Sequence, residues 1–290
     1  MGTYHNGYSI LGDVRGALNE DDSALINGTG TYGKFSNDFI MKSVNRAQRA
    51  IYAKLFIRIK SAFRTSTTIT GVNSVYALPW DFGLMRRFED ENGVKVHPIN
   101  LDHKPGTSGQ GSDNRYYRKG NNLILTKSGV TTTYTLWYRL KPRELHQGVT
   151  VTEDTLASPA KLIADYYNGL TIENETDGWV DTISDYSAAR VVTLAEETLG
   201  TSKYYGTVSD IPEPFHHLIA PLAAMIAKAD HPVSPEKPSR ASMELWKNEL
   251  EDAILAFGGR AGDISEEDIW TDDGAGPVGV NIPGHINPVF

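Results

Sequence analysis

The stretch Gly28-Thr29-Gly30-Thr31-Tyr32-Gly33-Lys34-Phe35 satisfies two phosphate-binding patterns at once. As G-x-G-x-x-G it has the spacing with which a dinucleotide loop brings backbone N–H groups to a pyrophosphate. As G-x-x-x-x-G-K it is a P-loop whose lysine would reach the terminal phosphates. The surroundings argue against both. Phe35 stands where a P-loop needs the hydroxyl that ligates magnesium, and no Asp or Glu occurs from Phe39 through Trp80 to hold a ribose about 20 residues on. A flexible Gly/Thr turn ahead of a helix is the expected reading, and a nucleotide-binding enzyme using Gly28–Lys34 the alternative. Other reactive groups are sparse. The chain has no cysteine, which removes thiolate metal sites, disulfides and cysteine nucleophiles. Its eight histidines include one adjacent pair, His216-His217, whose side chains diverge by about 100° on a helix and cannot readily chelate one ion. There is no H-E-x-x-H or G-x-S-x-G. No catalytic, metal or cofactor-binding residue is therefore expected.

The elements around these residues are easier to read. Residues 1–35 are rich in Gly, Asn and Asp and read as an arm with at most short structured pieces. Ser36 then reads as an N-cap. Ile40, Val44, Ala47, Ile51, Leu55, Ile59 and Phe63 follow at three- and four-residue steps, predicting a long amphipathic helix to about Phe63. Lys42, Arg46, Arg49, Lys60 and Arg64 form a basic stripe opposite that apolar arc. Residues 66–150 break into short strands at 67–70, 75–78, 85–88, 94–99, 116–118, 123–126 and 131–140, with hairpin signals at Asn92-Gly93 and Gly120-Asn121. In the last strand Tyr134, Leu136, Tyr138 and Leu140 should face inward, and Thr133, Thr135, Trp137 and Arg139 outward. The aromatic residues of this region, Trp80 and Tyr116 among them, read chiefly as core and subunit contacts. Residues 151–212 are a mixed acidic segment, with a short helix near 159–167 and strands at 170–173, 179–183 and 190–194. Residues 213–258 hold two helices, Pro221 kinking the first or displacing its start, and 259–290 form an extended tail.

The fold class is thus α+β: a helical bundle of one long N-terminal and two C-terminal helices, an antiparallel β-meander or barrel, and the tail. Charge is partitioned along it. The whole chain carries 28 bases and 36 acids, a net of −8. Residues 36–64 hold seven bases against Asp38, a net of +6; residues 151–213 hold twelve acids against three bases, a net of −9. Such separation suits one copy's basic helix facing another's acidic surface, and the acidity argues against a protein that coats nucleic acid. No apolar run approaches the ~18 residues that span a bilayer, and no secretory leader is expected at Met1.

Order then adds what single motifs lack. Phe39-Ile40-Met41-Lys42-Ser43-Val44-Asn45-Arg46-Ala47, a threonine run and Tyr76-Ala77-Leu78-Pro79-Trp80-Asp81-Phe82 resemble the head-to-tail adaptor proteins of tailed bacteriophages. The likeness continues through Arg115-Tyr116-Tyr117, Asn122–Leu125, Tyr134–Arg139 and Ile211-Pro212-Glu213-Pro214-Phe215-His216-His217 to the closing helix. The acidic segment looks like an insertion. The resemblance implies a non-enzymatic virion neck component without cofactors, assembled in the host cytoplasm. Its subunits would form a homo-oligomeric ring, the family's dodecamer, under the portal. A tail, nozzle or stopper protein would follow below, and double-stranded DNA would pass through the bore without sequence-specific binding. A stopper or minor tail protein is the alternative within the same class. The resemblance also implies that the C-terminal extension is ordered only against the portal. Candidate portal or subunit contacts are Lys42, Arg46, Arg49, Lys60 and Arg64, with Asp263, Glu266, Glu267, Asp268, Trp270 and Phe290 from the tail.

Overall fold

The computed structural model describes residues 6–20, 34–59, 63–99, 115–127, 132–158, 160–231 and 238–260, the side chains of 258–260 excepted. Gly28–Gly33 of the phosphate-loop pattern, Lys60, and the tail residues Asp263, Glu266, Glu267, Asp268, Trp270 and Phe290 lie outside them.

The N-terminal region departs from the expected arm. Gly7–Ala17 is a helix, α1, opened by a capping box in which the Asn6 side chain accepts from the Ser9 N–H and the Ser9 hydroxyl receives the Asn6 N–H. Its three glycines give poor intrinsic propensity, but Ile10, Leu11 and Val14 are fully buried, and that packing outweighs it. Helix α2, Asn37–Arg58, starts where expected: the Ser36 hydroxyl accepts from the Phe39 N–H at 3.2 Å. It stops five residues before Phe63, with Ile59 already extended and Phe63 at φ +64. The basic stripe is therefore not a single helical feature. Lys42, Arg46 and Arg49 are exposed on α2, whereas Arg64 begins strand β1.

Two sheets follow. Strands β1 (Arg64–Thr70), β7 (Thr133–Leu140) and β3 (Phe82–Glu89) pair antiparallel in the order β1-β7-β3. β2 (Val75–Ala77), β6 (Asn122–Leu125), β5 (Arg115–Lys119) and β4 (His97–Pro98) make a second sheet, β2-β6-β5-β4. Gly120, at φ +60, turns the β5–β6 hairpin, a conformation that a side chain would disfavour. Tyr76, Phe88, Leu123, Tyr134, Leu136 and Tyr138 fill the core between the sheets. Alternation along β7 holds except at Arg139, which is buried rather than facing solvent.

The acidic segment builds a second-module sheet together with residues 147–149, which were expected to belong to the preceding β-region, in the order β11-β10-β9-β12-β8. These strands are β8 (Gln147–Val149), β9 (Thr171–Asn174), β10 (Trp179–Tyr186), β11 (Val192–Leu194) and β12 (Tyr204–Thr207). The helix expected near 159–167 is absent; the described residues there form turns, with Asp165 at φ +62. That break lets adjacent Tyr166 and Tyr167 reach different partners: Tyr166 stacks on Trp80 and Tyr167 meets Tyr186 edge-on. A 3-10 turn, Glu213–Leu218, then leads into α3 (Ile219–Asp230). Pro221 sits in the first turn of α3, where its missing N–H leaves no helical bond unmade, so the start is displaced rather than the helix kinked. Helix α4 is Arg240–Arg260. The helices share one core around Ile40, Val44, Ile51, Phe215, Leu218 and Ala223. No helix among the described residues is long and apolar enough to cross a membrane.

Candidate interaction surfaces and the buried contacts that hold them

Two amides on the packed side of α2 join the helical layer to the link between β7 and β8. Asn45 receives the Leu145 N–H at 2.7 Å and donates to the Leu145 carbonyl at 3.1 Å. Gln48 donates to the Arg143 carbonyl at 2.5 Å and accepts from the Ser209 hydroxyl at 3.0 Å. Arg143 closes the junction. Its Nε and Nη2 bond the two oxygens of Asp210 at 2.9 and 2.5 Å, its N–H bonds Oδ2 at 2.8 Å, and Nη1 reaches the Asn168 carbonyl. A planar guanidinium suits this two-pronged grip. Helix, acidic sheet and the Ile211-Pro212 entry to the C-terminal helices thus meet at one buried polar cluster. Asn45 and Gln48 were overlooked at the sequence level, although two amides three residues apart beside an apolar arc are a readable signal.

The Leu78–Phe82 motif makes a second junction. Trp80 stacks on Tyr166 with ring centroids 4.5 Å apart, and Asp81 accepts from the Tyr138 hydroxyl at 2.9 Å. Burial pushes the Asp81 carboxyl above the usual carboxylate range. At the N-terminus, Arg15 donates to the Phe35 carbonyl at 2.8 Å and pairs with Glu20 at 2.9 Å, while Glu20 also accepts from the Lys34 N–H at 2.6 Å. A carboxylate thus holds the backbone of the one described lysine of the phosphate-loop pattern. Lys34 lies two residues before the Ser36 cap, outside α2, whereas a P-loop lysine belongs at the helix start. His216 is buried with its Nε2 on the Ile211 carbonyl, and His217 is exposed, so the adjacent pair diverges as expected. Among the described residues no three His, Asp or Glu are placed to hold a metal ion.

His146 sits at the base of β8. Its Nε2 lies 2.8 Å from the Tyr205 hydroxyl, which itself accepts from the Ala157 N–H at 2.7 Å, so the hydroxyl proton points to a neutral imidazole. Burial holds the His146 pKa down at about 4. The unfolded chain takes up this proton near 6.5, the folded chain only near 4, so stability falls as pH drops through that window. The full effect is about 3 kcal/mol. Asp81 and Glu173, whose pKa values burial raises, act oppositely, and the His146→Gln comparison separates the histidine's contribution from theirs. Urea unfolding at pH 7 and pH 5 should show the loss, and His146→Gln should flatten it; an equal slope in both proteins would refute the assignment.

The exposed bases of α2 are partly engaged within the subunit. Arg46 pairs with Asp230, and Arg49 lies 3.9 Å from Glu144. Both pairs are well exposed and contribute about 0–1 kcal/mol each, so they leave these charges available to a partner. The structure brings Lys42, Arg46 and Arg49 together on one helix face and separates Arg64 from them.

The class this architecture defines is a scaffold of three packed modules locked by buried polar contacts. Residues 8–173, more than half of the 290-residue chain, match the family described as SU10 adaptor protein, and the chain belongs to that family. It is a structural adaptor protein of a bacteriophage. The match spans the Asn45–Gln48 junction, the Leu78–Phe82 motif and the α2 bases. No curated protein matches the chain.

Proposed function

We propose that this adaptor assembles head to tail into a ring of about twelve subunits between the portal and the tail, with double-stranded DNA passing through its bore, and that it acts without catalysis. Membership of the phage adaptor family carries this reading. Charge supports it. A conduit must not grip phosphates, because several Lys or Arg contacts would make a salt-sensitive trap; a chain of net −8, repeated around a ring, repels them instead. Ring closure by two different patches per subunit gives a reason for the partition of +6 on residues 36–64 and −9 on residues 151–213. Lys42, Arg46 and Arg49 then face an acidic surface of the neighbouring subunit or of the portal. In the assembled neck the tail acids Asp263, Glu266, Glu267 and Asp268, with Trp270 and Phe290, contact the portal.

Reversing Lys42, Arg46 and Arg49 to Glu should leave a folded subunit, since the pairs lost are exposed, yet abolish the twelvefold collar formed with purified portal. Electron microscopy with circular dichroism checks both halves. An unchanged collar would overturn the assigned contact, and a collar that forms with a tail component but never with portal would favour a stopper.

A further inference from the structure

We infer that neighbouring subunits meet helix on helix, the outer face of α2 in one copy against the outer face of α4 in the next. The inference deepens the head-to-tail reading above and rests on it. Ile57 of α2 and Leu255 of α4, 74% and 72% exposed, are the most solvent-exposed large apolar side chains among the described residues, and Leu245 of α4 is 62% exposed. Apolar groups so placed mark a contact surface. At about 100° per residue, Arg46, Ala50, Ala53 and Ile57 fall within an arc of about 60° on α2, with Arg49 and Lys54 at its margins. On α4, Leu245, Asn248, Asp252 and Leu255 fall within about 80°, opposite the buried Trp246, Leu250 and Ile254, with Glu249 beside them and Lys247 well off the face. One face is basic around an isoleucine; the other is acidic between two leucines.

The faces also match in length. Arg46 to Ile57 rises about 16 Å along its axis, and Leu245 to Leu255 about 15 Å. Glu249 and Asp252 lie between the leucines as Arg49 and Lys54 lie along the α2 face, so in either sense of packing acids oppose bases and Ile57 meets a leucine. Within one subunit these faces cannot meet. Ile51 and Leu55 of α2 share a core with Trp246, Leu250 and Ile254 of α4, so the outer faces turn away from each other, and Arg58 and Glu251, 3.6 Å apart, mark the margin where the helices approach. Nor can α2 pair with another α2, because the facing bases would repel. A second copy offers the complement. Contact between two different patches leaves one of each open at the ends of a growing row, and only ring closure satisfies both. Lys42 lies one turn before Arg46, beyond this seam.

Because the chain has no cysteine, introduced ones can trap the contact. Full-length subunits carrying Ala53→Cys, mixed with subunits carrying Asn248→Cys or Asp252→Cys in the presence of purified portal, should form a disulfide between subunits on mild oxidation. The yield should be at least tenfold above that of any one variant alone, or of Ala53→Cys mixed with Asp185→Cys. Arg49→Glu with Lys54→Glu should cut collar formation at least tenfold while circular dichroism stays unchanged. Adding Glu249→Lys and Asp252→Lys to the same chain should restore most of it. Equal cross-linking in the controls, collars indifferent to the reversal, or a reversal that the second pair does not rescue would each overturn the inference. Failure of the wild-type chain to form collars would count against the ring instead, and the cross-link then decides the helix contact by itself.

Discussion

Asp210→Ala should destabilise the subunit by about 3–5 kcal/mol, the usual consequence of removing one partner from a buried, doubly hydrogen-bonded ion pair. The carboxylate accepts three bonds from Arg143, and both side chains are about a tenth exposed. Its loss leaves a guanidinium in low dielectric with the Asn168 carbonyl as its remaining bonded partner among those described above. The effect should exceed that of a single contact, because the Arg143 carbonyl also receives Gln48 and the neighbouring Ser209 bonds the same amide. Denaturant midpoints for Asp210→Ala, Arg143→Ala and the double variant form a cycle. A coupling of about 2 kcal/mol or more is expected. A loss below about 1 kcal/mol for Asp210→Ala would show that the junction does not hold the modules together.

Arg139→Ala should cost about 3–4 kcal/mol, by a different route. The Arg139 guanidinium lies 3.6 Å from the centroid of the Phe56 ring and donates to the carbonyls of Phe56 and Ile59, at 2.5 and 3.1 Å. These are carbonyls at the C-terminal end of α2, where a positive charge is favoured and unsatisfied acceptors are costly. Burial lowers its pKa to about 10, yet leaves it charged at neutral pH. Arg139→Lys should recover less than half of the loss, because an ammonium cannot stack on the ring and fork to two carbonyls together. Fast amide exchange confined to the last turn of α2 would accompany the drop in midpoint; full recovery by lysine would refute the forked cap.

Much of the local structure was legible beforehand. Ser36 as a cap, the arc from Ile40 to Leu55, the Gly120 hairpin and inward-facing Tyr134, Leu136 and Tyr138 all rest on interactions within a few residues, and each is present. The errors share a cause. The expected arm contains α1 because burial of Ile10, Leu11 and Val14 outweighs three glycines. Continuing α2 to Phe63 followed its apolar period and could not register that Arg139, eighty residues away from Ile59, takes the closing carbonyls. The helix expected near 159–167 is replaced by turns because Trp80 and Tyr186 draw neighbouring tyrosines apart.

For the candidate surfaces the division is similar. The bases Lys42, Arg46 and Arg49 share a face because residues three and four apart on a helix must do so, and that much followed from spacing. Placing Arg64 with them failed once the helix ended at Arg58. What one-dimensional order determined was the class: most of the longer helices and strands, how charge is partitioned, and a succession of motifs resembling phage adaptors. Tertiary structure alone decided which polar groups are buried together. Asn45 finds Leu145 a hundred residues on, and Arg143 finds Asp210 sixty-seven on. Periodicity reports the direction in which a side chain points, but a buried hydrogen bond requires a partner at the other end, and only the folded chain brings that partner within 3 Å.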